Sequence, residues 1–511
     1  MSNSPDLNSL AAAEPFDVCI IGSGFTGTIL GARLAEKGVR TLILESGKNL
    51  ADWFLNSRIK KLADYRSTGD CEYPTVRTKA RAIGGNSNFW TGRCERFHPS
   101  DFSANPYTPE GNPWPFTYEE IEPYYERAER TLRVRGGELS ELAPPRSNPL
   151  PLPARLSIES LKKLAASLGT KLDNSPTATP ENSLKTFRVS KEILPRFLEA
   201  SNGYLVTETT VTRLVPDSDG NIVGAEVRTM DGGKKEVKAK IFVVACGGIE
   251  SPRLLLLSRS EQFPNGIGNG HDRVGRCFNE HPGVNFYGRV KHRLDTLYPC
   301  YRLGRTHQYY DDFRSDGLGS VLPVFIQSWA FPNHLMTPKV WEIPGQLLNT
   351  LSRLIVPEFY IGATIEMLPV DSNRVMLDES LVDEFGNPLA HLDLNFSQQD
   401  LQTLDRTRTL IRGIFEKMGA KNLREGEVTW SRHHIGTCMM GEDPRTSVVD
   451  PQLRVHECSN LFVCGAETFV TGAASPPVLT ITALTHRLAD HLIESLEKGE
   501  VSRQQQGIRV D

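Results

Sequence analysis

The chain has 511 residues, more than one hydrophobic core usually serves, so we expect two domains or one domain with a large insertion. Apolar residues make up 39%, charged residues 23%, and the formal net charge is −4, as in ordinary globular proteins. This composition argues against nucleic acid or an anionic membrane as a partner. A small-molecule partner is the better expectation.

The N-terminal stretch and the cysteines bear on location. The stretch MSNSPDLNSLAAAEPFDV has no basic start followed by an apolar run, so it does not resemble a secretory signal. No apolar run is long enough to predict a membrane span. The nine cysteines are scattered and never spaced C-x-x-C, which argues against a disulfide framework, an iron–sulfur cluster or c-type haem. We therefore expect a cytoplasmic protein, and we assign no metal ligands.

The first periodic segment, FDVCIIGSGFTGTILGARLAEKGVRTLILESG, predicts a strand–helix–strand unit. In its GSGFTG turn, Gly22 permits the tight turn, Gly24 lets the backbone approach a pyrophosphate, and Gly27 lets the helix pack closely on the sheet. Glu45 ends the second strand, where it can accept hydrogen bonds from ribose hydroxyls. The unit therefore predicts a dinucleotide at the helix N-terminus. A solvated Glu45 at a strand end is the alternative.

Later segments predict further strands and long helices. Strand patterns occur in GYLVTETTVTRLV, IVGAEVRTM and AKIFVVACGG, and helical patterns in TYEEIEPYYERAERTL, IESPRLLLLS, QDLQTLDRTRTLIRGIFEKMG and VLTITALTHRLADHLIESLEKG. A second glycine-rich match, GIGNG at residues 266–270, follows Pro264 rather than an apolar strand. We interpret it as a loop, so one dinucleotide is expected rather than two.

Four segments, taken together, resemble the glucose–methanol–choline (GMC) oxidoreductase family of FAD enzymes. They are the N-terminal fingerprint GSGFTG (22–27), AIGGNSNFWTGRCERF (82–97), VVACGGIESPRLLLLS (243–258) and the stretch from HHIGTCMMG to VLTITAL (433–484). A shorter match, VGRCFNEHPG (274–283), falls between them. The loop GGNSNFWTG and the stretch RVMLDESLVDEFGNPL are similar to the pyranose-oxidase-like branch.

The resemblance implies an α/β fold class with two parts. The first is a Rossmann-like FAD-binding domain, discontinuous in sequence, made of residues 1–105, 191–285 and 426–511. The second is an α+β substrate-binding domain built on an antiparallel sheet, made of residues 106–190 and 286–425.

The resemblance also implies the cofactor contacts. Phe89 stands where some family members carry a histidine covalently bound to the flavin, so we expect non-covalent FAD. For the small residues of this set, such as Gly465 and Ala466, crowded β-to-α turns are the alternative reading. The implied contacts are Gly22, Gly24, Phe25, Thr26, Gly27, Glu45, Ser46, Gly84, Gly85, Asn88, Phe89, Trp90, Val211, Cys246, Gly247, Gly465, Ala466, Pro477, Val478 and Leu479.

Two adjacent histidines are candidates for the catalytic base. Histidine suits proton removal at neutral pH, and neighbouring residues of an extended segment point to opposite sides, so His433 and His434 cannot both face one substrate. The family motif H-x-x-G-T places the base at His433, three residues before Gly436. His434 is then structural or lies at the rim. A hydrogen-bonded core histidine is the alternative for His433.

The sequence departs from the family pattern at Pro476. Family members generally place an asparagine or a second histidine there to hold the substrate oxygen, and proline offers no donor. Ser475, another cleft residue or water would supply that hydrogen bond, or the chemistry departs from simple alcohol oxidation. The catalytic candidates are therefore His433, Ser475 and Pro476.

Two further features bear on the substrate. The aromatic stretch at residues 325–345 (Trp329, Phe331, Trp341) could stack on sugar rings, although ordinary core or interface aromatics are as good a reading. Glu366 could reach the cleft as an extra acid, but we expect a strand glutamate that faces solvent.

The sequence thus predicts an FAD-dependent oxidoreductase that converts an alcohol or sugar hydroxyl to a carbonyl. Oxygen, a quinone or another acceptor would take the electrons, and the sequence does not indicate the oligomeric state. Three alternatives stay open. They are a hydroxynitrile-lyase-like flavoprotein, a cofactor-binding protein without turnover, and an NAD enzyme.

Overall fold

The computed structural model describes residues 14–55, 64–76, 78–154, 158–180, 186–290, 303–328 and 358–499. The aromatic candidates Trp329, Phe331 and Trp341 lie outside these described residues.

The strands in chain order are β1 Phe16–Ile21, β2 Thr41–Leu44, β3 Tyr65–Thr68, β4 Val134–Arg135, β5 Asp173–Asn174, β6 Thr177–Ala178, β7 Gly203–Val206, β8 Thr209–Pro216, β9 Ile222–Thr229, β10 Lys234–Val237, β11 Ala239–Val244, β12 Pro282–Arg289, β13 Leu303–Arg305, β14 Val321–Ser328, β15 Glu358–Ile365, β16 Arg374–Val382, β17 Pro388–Asp393, β18 Lys421–Glu425, β19 Thr429–Trp430 and β20 Leu461–Val463. The α-helices are α1 Phe25–Glu36, α2 Leu50–Leu55, α3 Pro99–Phe102, α4 Tyr118–Thr131, α5 Glu159–Ser167, α6 Val189–Glu192, α7 Leu194–Glu199, α8 Gly247–Leu257, α9 Tyr310–Ser315, α10 Gln398–Lys417 and α11 Val478–Glu497.

A five-stranded parallel sheet in the order β20-β11-β1-β2-β7 forms the first unit. Its central strands are buried on both faces, as parallel strands covered by helices must be, and this explains their continuous apolar runs. Helix α11 packs against α1 and α4 beside this sheet. The long-range order β11-β1-β2 brings the carboxyl ends of strands from distant parts of the sequence to one edge.

An antiparallel sheet forms the second unit, in the order β18-β12-β15-β14-β13-β5 with β19 also paired to β12. One face packs on α10 through a cluster that includes Phe286, Phe325, Ile361, Ile411 and Phe415. The pairing of β18 and β19 with β12 takes strands from both sides of the expected boundaries at residues 285 and 425. These two units confirm the predicted fold class, and the exact division of the chain stays a prediction.

The main sequence patterns fold as expected. The predicted helices correspond to α4, α8, α10 and α11, and the predicted strands to β7, β8, β9 and β11. Residues 266–270 form turns, and the backbone N–H groups of Gly268 and Gly270 donate to the Glu457 carboxylate, so the loop interpretation is confirmed. No helix of the described residues is long and apolar enough to cross a membrane.

The expectation that Glu366 faces solvent is wrong. Its side chain is fully buried just beyond β15, where one carboxylate oxygen accepts hydrogen bonds from Arg314 Nη2 at 2.8 Å and from Ser320 N at 3.0 Å. The other oxygen accepts from Ala473 N at 3.2 Å. An ion pair and peptide donors satisfy the charge, which a strand pattern cannot reveal because Arg314 is distant in sequence.

Candidate functional site

A cleft of about 550 Å³ lies at the carboxyl ends of β1, β2, β11 and β20, where ligands of open α/β sheets bind. This volume is in the range of sites for cofactor-sized ligands, about 300–1,000 Å³. Most of the residues predicted from sequence border it, and they come from every segment of the chain that carried a motif. They are Gly22, Gly24, Phe25, Thr26, Glu45, Ser46, Gly85, Phe89, Trp90, Val211, Cys246, Gly247, His433, Gly465, Ala466, Pro476, Pro477 and Val478.

Three helix N-termini meet at this cleft. The first residues of α1 (Phe25), α8 (Gly247) and α11 (Val478) all border it. Each N-terminus presents unpaired backbone N–H groups and the positive end of the helix dipole. Their convergence suits a ligand with several negative groups, such as the pyrophosphate of a dinucleotide.

The glycines of the fingerprint separate into two kinds. A Cβ atom built on Gly24 meets no described atom within 4 Å, so this backbone position opens directly onto the cleft. A Cβ on Gly27 would lie 1.8 Å from the Gly22 carbonyl oxygen, so Gly27 serves the close packing of α1 on β1. Gly24 is therefore a site where added bulk would meet a ligand, and Gly27 is a site where it would disturb the fold.

Glu45 is buried at the end of β2 and anchors the fingerprint loop. Its Oε2 accepts hydrogen bonds from Ser23 N at 3.1 Å and Ser23 Oγ at 2.6 Å, and its Oε1 accepts from Gly47 N at 2.8 Å. Burial raises the pKa of this carboxyl, and the hydrogen bonds from Ser23 and Gly47 oppose that shift. The solvated alternative is excluded, because only 6% of the residue is exposed.

Five predicted residues do not border the cleft. Asn88 is turned inward, and its amide donates to the carbonyls of Ile83 and Gly85, which shapes the loop. The fully buried Ser475 hydroxyl donates to the Arg96 carbonyl at 3.3 Å, so this geometry does not support it as a donor to substrate. The complete set is Gly27, Gly84, Asn88, Ser475 and Leu479.

His433 borders the cleft and is held by a second histidine. His433 Nδ1 lies 2.8 Å from Nδ1 of the buried His281, and His281 Nε2 lies 3.1 Å from the carbonyl oxygen of Gly472. Burial lowers the pKa of His433 well below its ordinary value, and repulsion from His281 adds to this. Burial also lowers the pKa of His281, to about 4. Both rings are therefore neutral at neutral pH.

The backbone around His433 is fixed by a buried carboxyl group. Glu280, which precedes His281 and is fully buried, accepts hydrogen bonds from the backbone N–H groups of Ser431 and His433. Between these two residues Arg432 adopts a φ of 64°, which turns successive side chains in different directions. Burial raises the pKa of Glu280 well above its ordinary value. The same short segment, 280–281, thus holds both the backbone and the ring of His433.

His434 also borders the cleft, but its side chain goes to the other side of the segment. His434 Nε2 lies 3.0 Å from the Tyr73 hydroxyl, and the ring packs near Phe278. Burial lowers the pKa of His434 to about 3. The two adjacent rings therefore have separate partners, as their alternation predicts.

The sequence analysis missed several residues of the cleft. Glu467 and Thr210 both border it, and neither the buried Oε2 of Glu467 nor the hydroxyl of Thr210 has a hydrogen-bond partner in the described part of the chain. Such buried polar atoms indicate a polar ligand, because an unmet donor or acceptor in the interior is costly. Glu467 directly follows the predicted pair Gly465–Ala466, so its position was a usable signal. His281 lay in the matched segment 274–283 without being singled out.

Nothing in the described part of the chain forms a group of three or more metal-ligating side chains.

Comparisons with known proteins agree over nearly the whole chain. Two sequence models of GMC oxidoreductases match residues 173–283 and 369–485. The fructose dehydrogenase large subunit of Gluconobacter japonicus is 25% identical, covering 94% of this chain and 98% of that protein. The 6'''-hydroxyparomomycin C oxidase of Streptomyces lividus is 27% identical, covering 94% and 92%. The crystal structure of pyridoxine 4-oxidase from Mesorbium loti superposes with a TM-score of 0.66 at 20% identity, covering 93% and 99%. The chain belongs to the GMC oxidoreductase family and is an FAD-dependent oxidoreductase acting on CH–OH donors.

Proposed function

We propose that this enzyme oxidises an alcohol or sugar hydroxyl to a carbonyl, with His433 as the general base and FAD as a dissociable cofactor. The observation that carries the proposal is the chain of contacts from His433 through His281 to the Gly472 carbonyl, in a cleft shared with the fingerprint loop.

This chain of contacts fixes where the protons lie. A carbonyl oxygen can only accept, so His281 Nε2 carries its proton toward Gly472. In a neutral ring the other nitrogen is then an acceptor, so His281 Nδ1 accepts from His433 Nδ1–H. His433 must therefore keep an unprotonated Nε2. No hydrogen bond to this atom occurs among the described residues, so it is available to take a hydroxyl proton from a substrate in the cleft.

The residues of the cleft fit FAD. Gly24 leaves room for close approach, the three helix N-termini suit a pyrophosphate, and the buried Glu45 and Glu467 offer carboxylates for hydroxyl or ring N–H groups. When bound, FAD accepts the hydride that an oxidised alcohol carbon gives up. The side chain of Phe89 borders the cleft and cannot form a bond to the flavin, which supports non-covalent binding.

The remaining expectations belong to the same proposal. Pro476 borders the cleft without a donor, so another group must hold the substrate oxygen beside His433. We retain 1–105, 191–285 and 426–511 as the FAD-binding domain, and 106–190 and 286–425 as the substrate-binding domain. The described cysteines are all free, which supports a reducing cytoplasm.

Anaerobic mixing of the purified protein with a panel of primary and secondary alcohols and monosaccharides tests the proposal. We expect a yellow protein whose visible flavin absorbance disappears with at least one compound and returns with an acceptor. A lyase would convert its substrate without net reduction of the flavin. A colourless protein that takes up no FAD, or one whose flavin is never reduced, would contradict the proposal.

A further inference from the structure

The face of the antiparallel sheet opposite α10 carries several polar side chains among apolar ones. Arg305 on β13 pairs with Val324 on β14, which pairs with Gly362 on β15, and Gly362 pairs with Asn285 on β12. Residues paired directly across antiparallel strands project to the same face. Thr364, two residues beyond Gly362 on that face, borders the cleft. The sheet thus presents Arg305 and Asn285 to the side on which the cleft lies.

Arg305 is a fully buried arginine with too few partners. Its side chain has no exposed area, and Nε, Nη1 and Nη2 all lack a hydrogen bond to the described residues. Nε lies 2.9 Å from Glu95 Oε1, close enough for an ion pair but not aligned for a hydrogen bond. Glu95 Oε1 also accepts from the Ser175 hydroxyl, so this carboxylate is shared. A guanidinium has five N–H donors, so Arg305 brings an only partly matched positive charge into this part of the interior, although it does not itself border the cleft.

Arg93 adds a second positive charge near Arg305. It borders the cleft, its Nε is buried without a partner, and no ion pair joins it to a carboxylate of the described chain. After burial, Arg93 contributes to the lowered pKa of Arg305, and both arginines contribute to the lowered pKa of His433. The two guanidinium groups are therefore within electrostatic reach of each other and of the proposed base.

The positive charge of the two guanidinium groups favours an anionic ligand. Arg93 and Arg305 bring two positive charges, whereas Glu95, the carboxylate that pairs with Arg305, brings one negative charge. The planar fork of a guanidinium also matches a carboxylate in two parallel hydrogen bonds.

We infer that the substrate is a hydroxylated carboxylic acid, such as a sugar acid, whose carboxylate binds at Arg93 in the cleft, with the buried Arg305 adding positive charge, while its hydroxyl faces His433. This inference rests on the proposed alcohol oxidation and names its substrate class. The carboxylate is a handle for binding and does not change during the reaction.

The test compares each acid with its neutral counterpart on the FAD-loaded enzyme. D-gluconate is paired with sorbitol, D-glucuronate with D-glucose and D-galacturonate with D-galactose, and flavin reduction is followed anaerobically. Calorimetric titration of the same compounds measures binding without turnover. We expect at least one acid to bind and to reduce the flavin with a kcat/KM about 10- to 150-fold above that of its neutral partner, as for hydrogen bonds to charged groups.

Variants separate recognition from folding. Arg93→Gln removes the charge that borders the cleft, and the double variant Arg305→Gln with Glu95→Gln removes the buried pair without leaving either charge alone. Both are expected to lower the preference for the acid, measured as the ratio of its kcat/KM to that of the neutral partner. Arg445→Gln, at an exposed arginine that pairs with Asp443, is the matched control and should keep the preference.

Each outcome decides between the two claims. If neutral compounds bind and reduce the flavin as well as the acids, or if none of the acids binds, the inference is overturned while alcohol oxidation stands. If acids bind through Arg93 but no compound reduces the flavin, the inference about the anion site stands and the proposed oxidation fails.

Discussion

Replacing His281 by leucine tests whether this residue acts through His433. The variant removes the acceptor at 2.8 Å from His433 Nδ1 and leaves that N–H without a partner inside the protein. The proton is then free to move to Nε2, where it would occupy the lone pair needed for the substrate hydroxyl. An unmet buried donor costs about 1–3 kcal/mol, which corresponds to a loss of about 5- to 150-fold in kcat/KM.

Rescue by a conservative variant makes the prediction specific. In His281→Asn, the side-chain carbonyl can accept from His433 Nδ1–H at nearly the place of the lost ring nitrogen. We expect His281→Asn to recover most of the activity lost in His281→Leu, although it gives up the contact to the Gly472 carbonyl. A merely structural role of His281 would not distinguish these two variants by kcat/KM at equal stability.

The matched control is His486→Leu. His486 is also buried and also makes one side-chain hydrogen bond, between its Nε2 and Thr131 Oγ1 at 2.9 Å, but it does not border the cleft. This variant is expected to lower the melting temperature and to keep kcat/KM. The reasoning is refuted if His281→Leu keeps wild-type kcat/KM, or if His281→Asn is as impaired as His281→Leu.

Three further predictions concern the cofactor and the pH dependence. Gly24→Ala should fold with an unchanged melting temperature but bind FAD about tenfold or more weakly, whereas Gly27→Ala should destabilise the fold itself; fluorescence titration and thermal unfolding measure both. Equal effects of the two substitutions would be contrary to the geometry. Acid precipitation should release all the FAD into the supernatant, since Phe89 forms no bond to it, and flavin left on the pellet would refute this. Because burial depresses the pKa of His433, its base form persists as the pH falls through 6.5, so kcat/KM should stay level there and decline only at lower pH. An acid limb at or above 6.5 would be inconsistent with a buried neutral base.

The strand–helix–strand unit expected to bind the dinucleotide could be predicted because its sequence signals are local. A strand, a glycine turn, a helix and an acidic residue follow one another within residues 16–45, and each has a mechanical reason to be there. The same holds for α10 and α11, whose periodic apolar faces predict helices at nearly their observed bounds. The resemblance to a known family then indicated what short-range sequence patterns could not, namely that His433 and the fingerprint loop lie in one cleft.

The residues that the sequence did not reveal depend on contacts between distant segments. His281 meets His433 across 152 positions, and Glu366 meets Arg314 across 52. Arg305 faces the cleft side only because of the register of four antiparallel strands, which no pattern in its own three-residue strand encodes. The sequence next to a histidine, a glutamate or an arginine does not indicate whether its side chain is buried. Contacts with distant segments of the chain therefore decide its role.

The reductive half-reaction of His433→Ala, followed by stopped-flow absorbance under anaerobic conditions, tests the central claim most directly. The variant should bind FAD like the wild type, because its substitution removes no residue of the fingerprint loop. Its flavin should be reduced by the preferred substrate about 100- to 10,000-fold more slowly, as expected for loss of a general base. His434→Ala, the adjacent histidine with a separate partner at Tyr73, should show a far smaller effect. A His433→Ala enzyme that reduces its flavin at the wild-type rate would contradict the account.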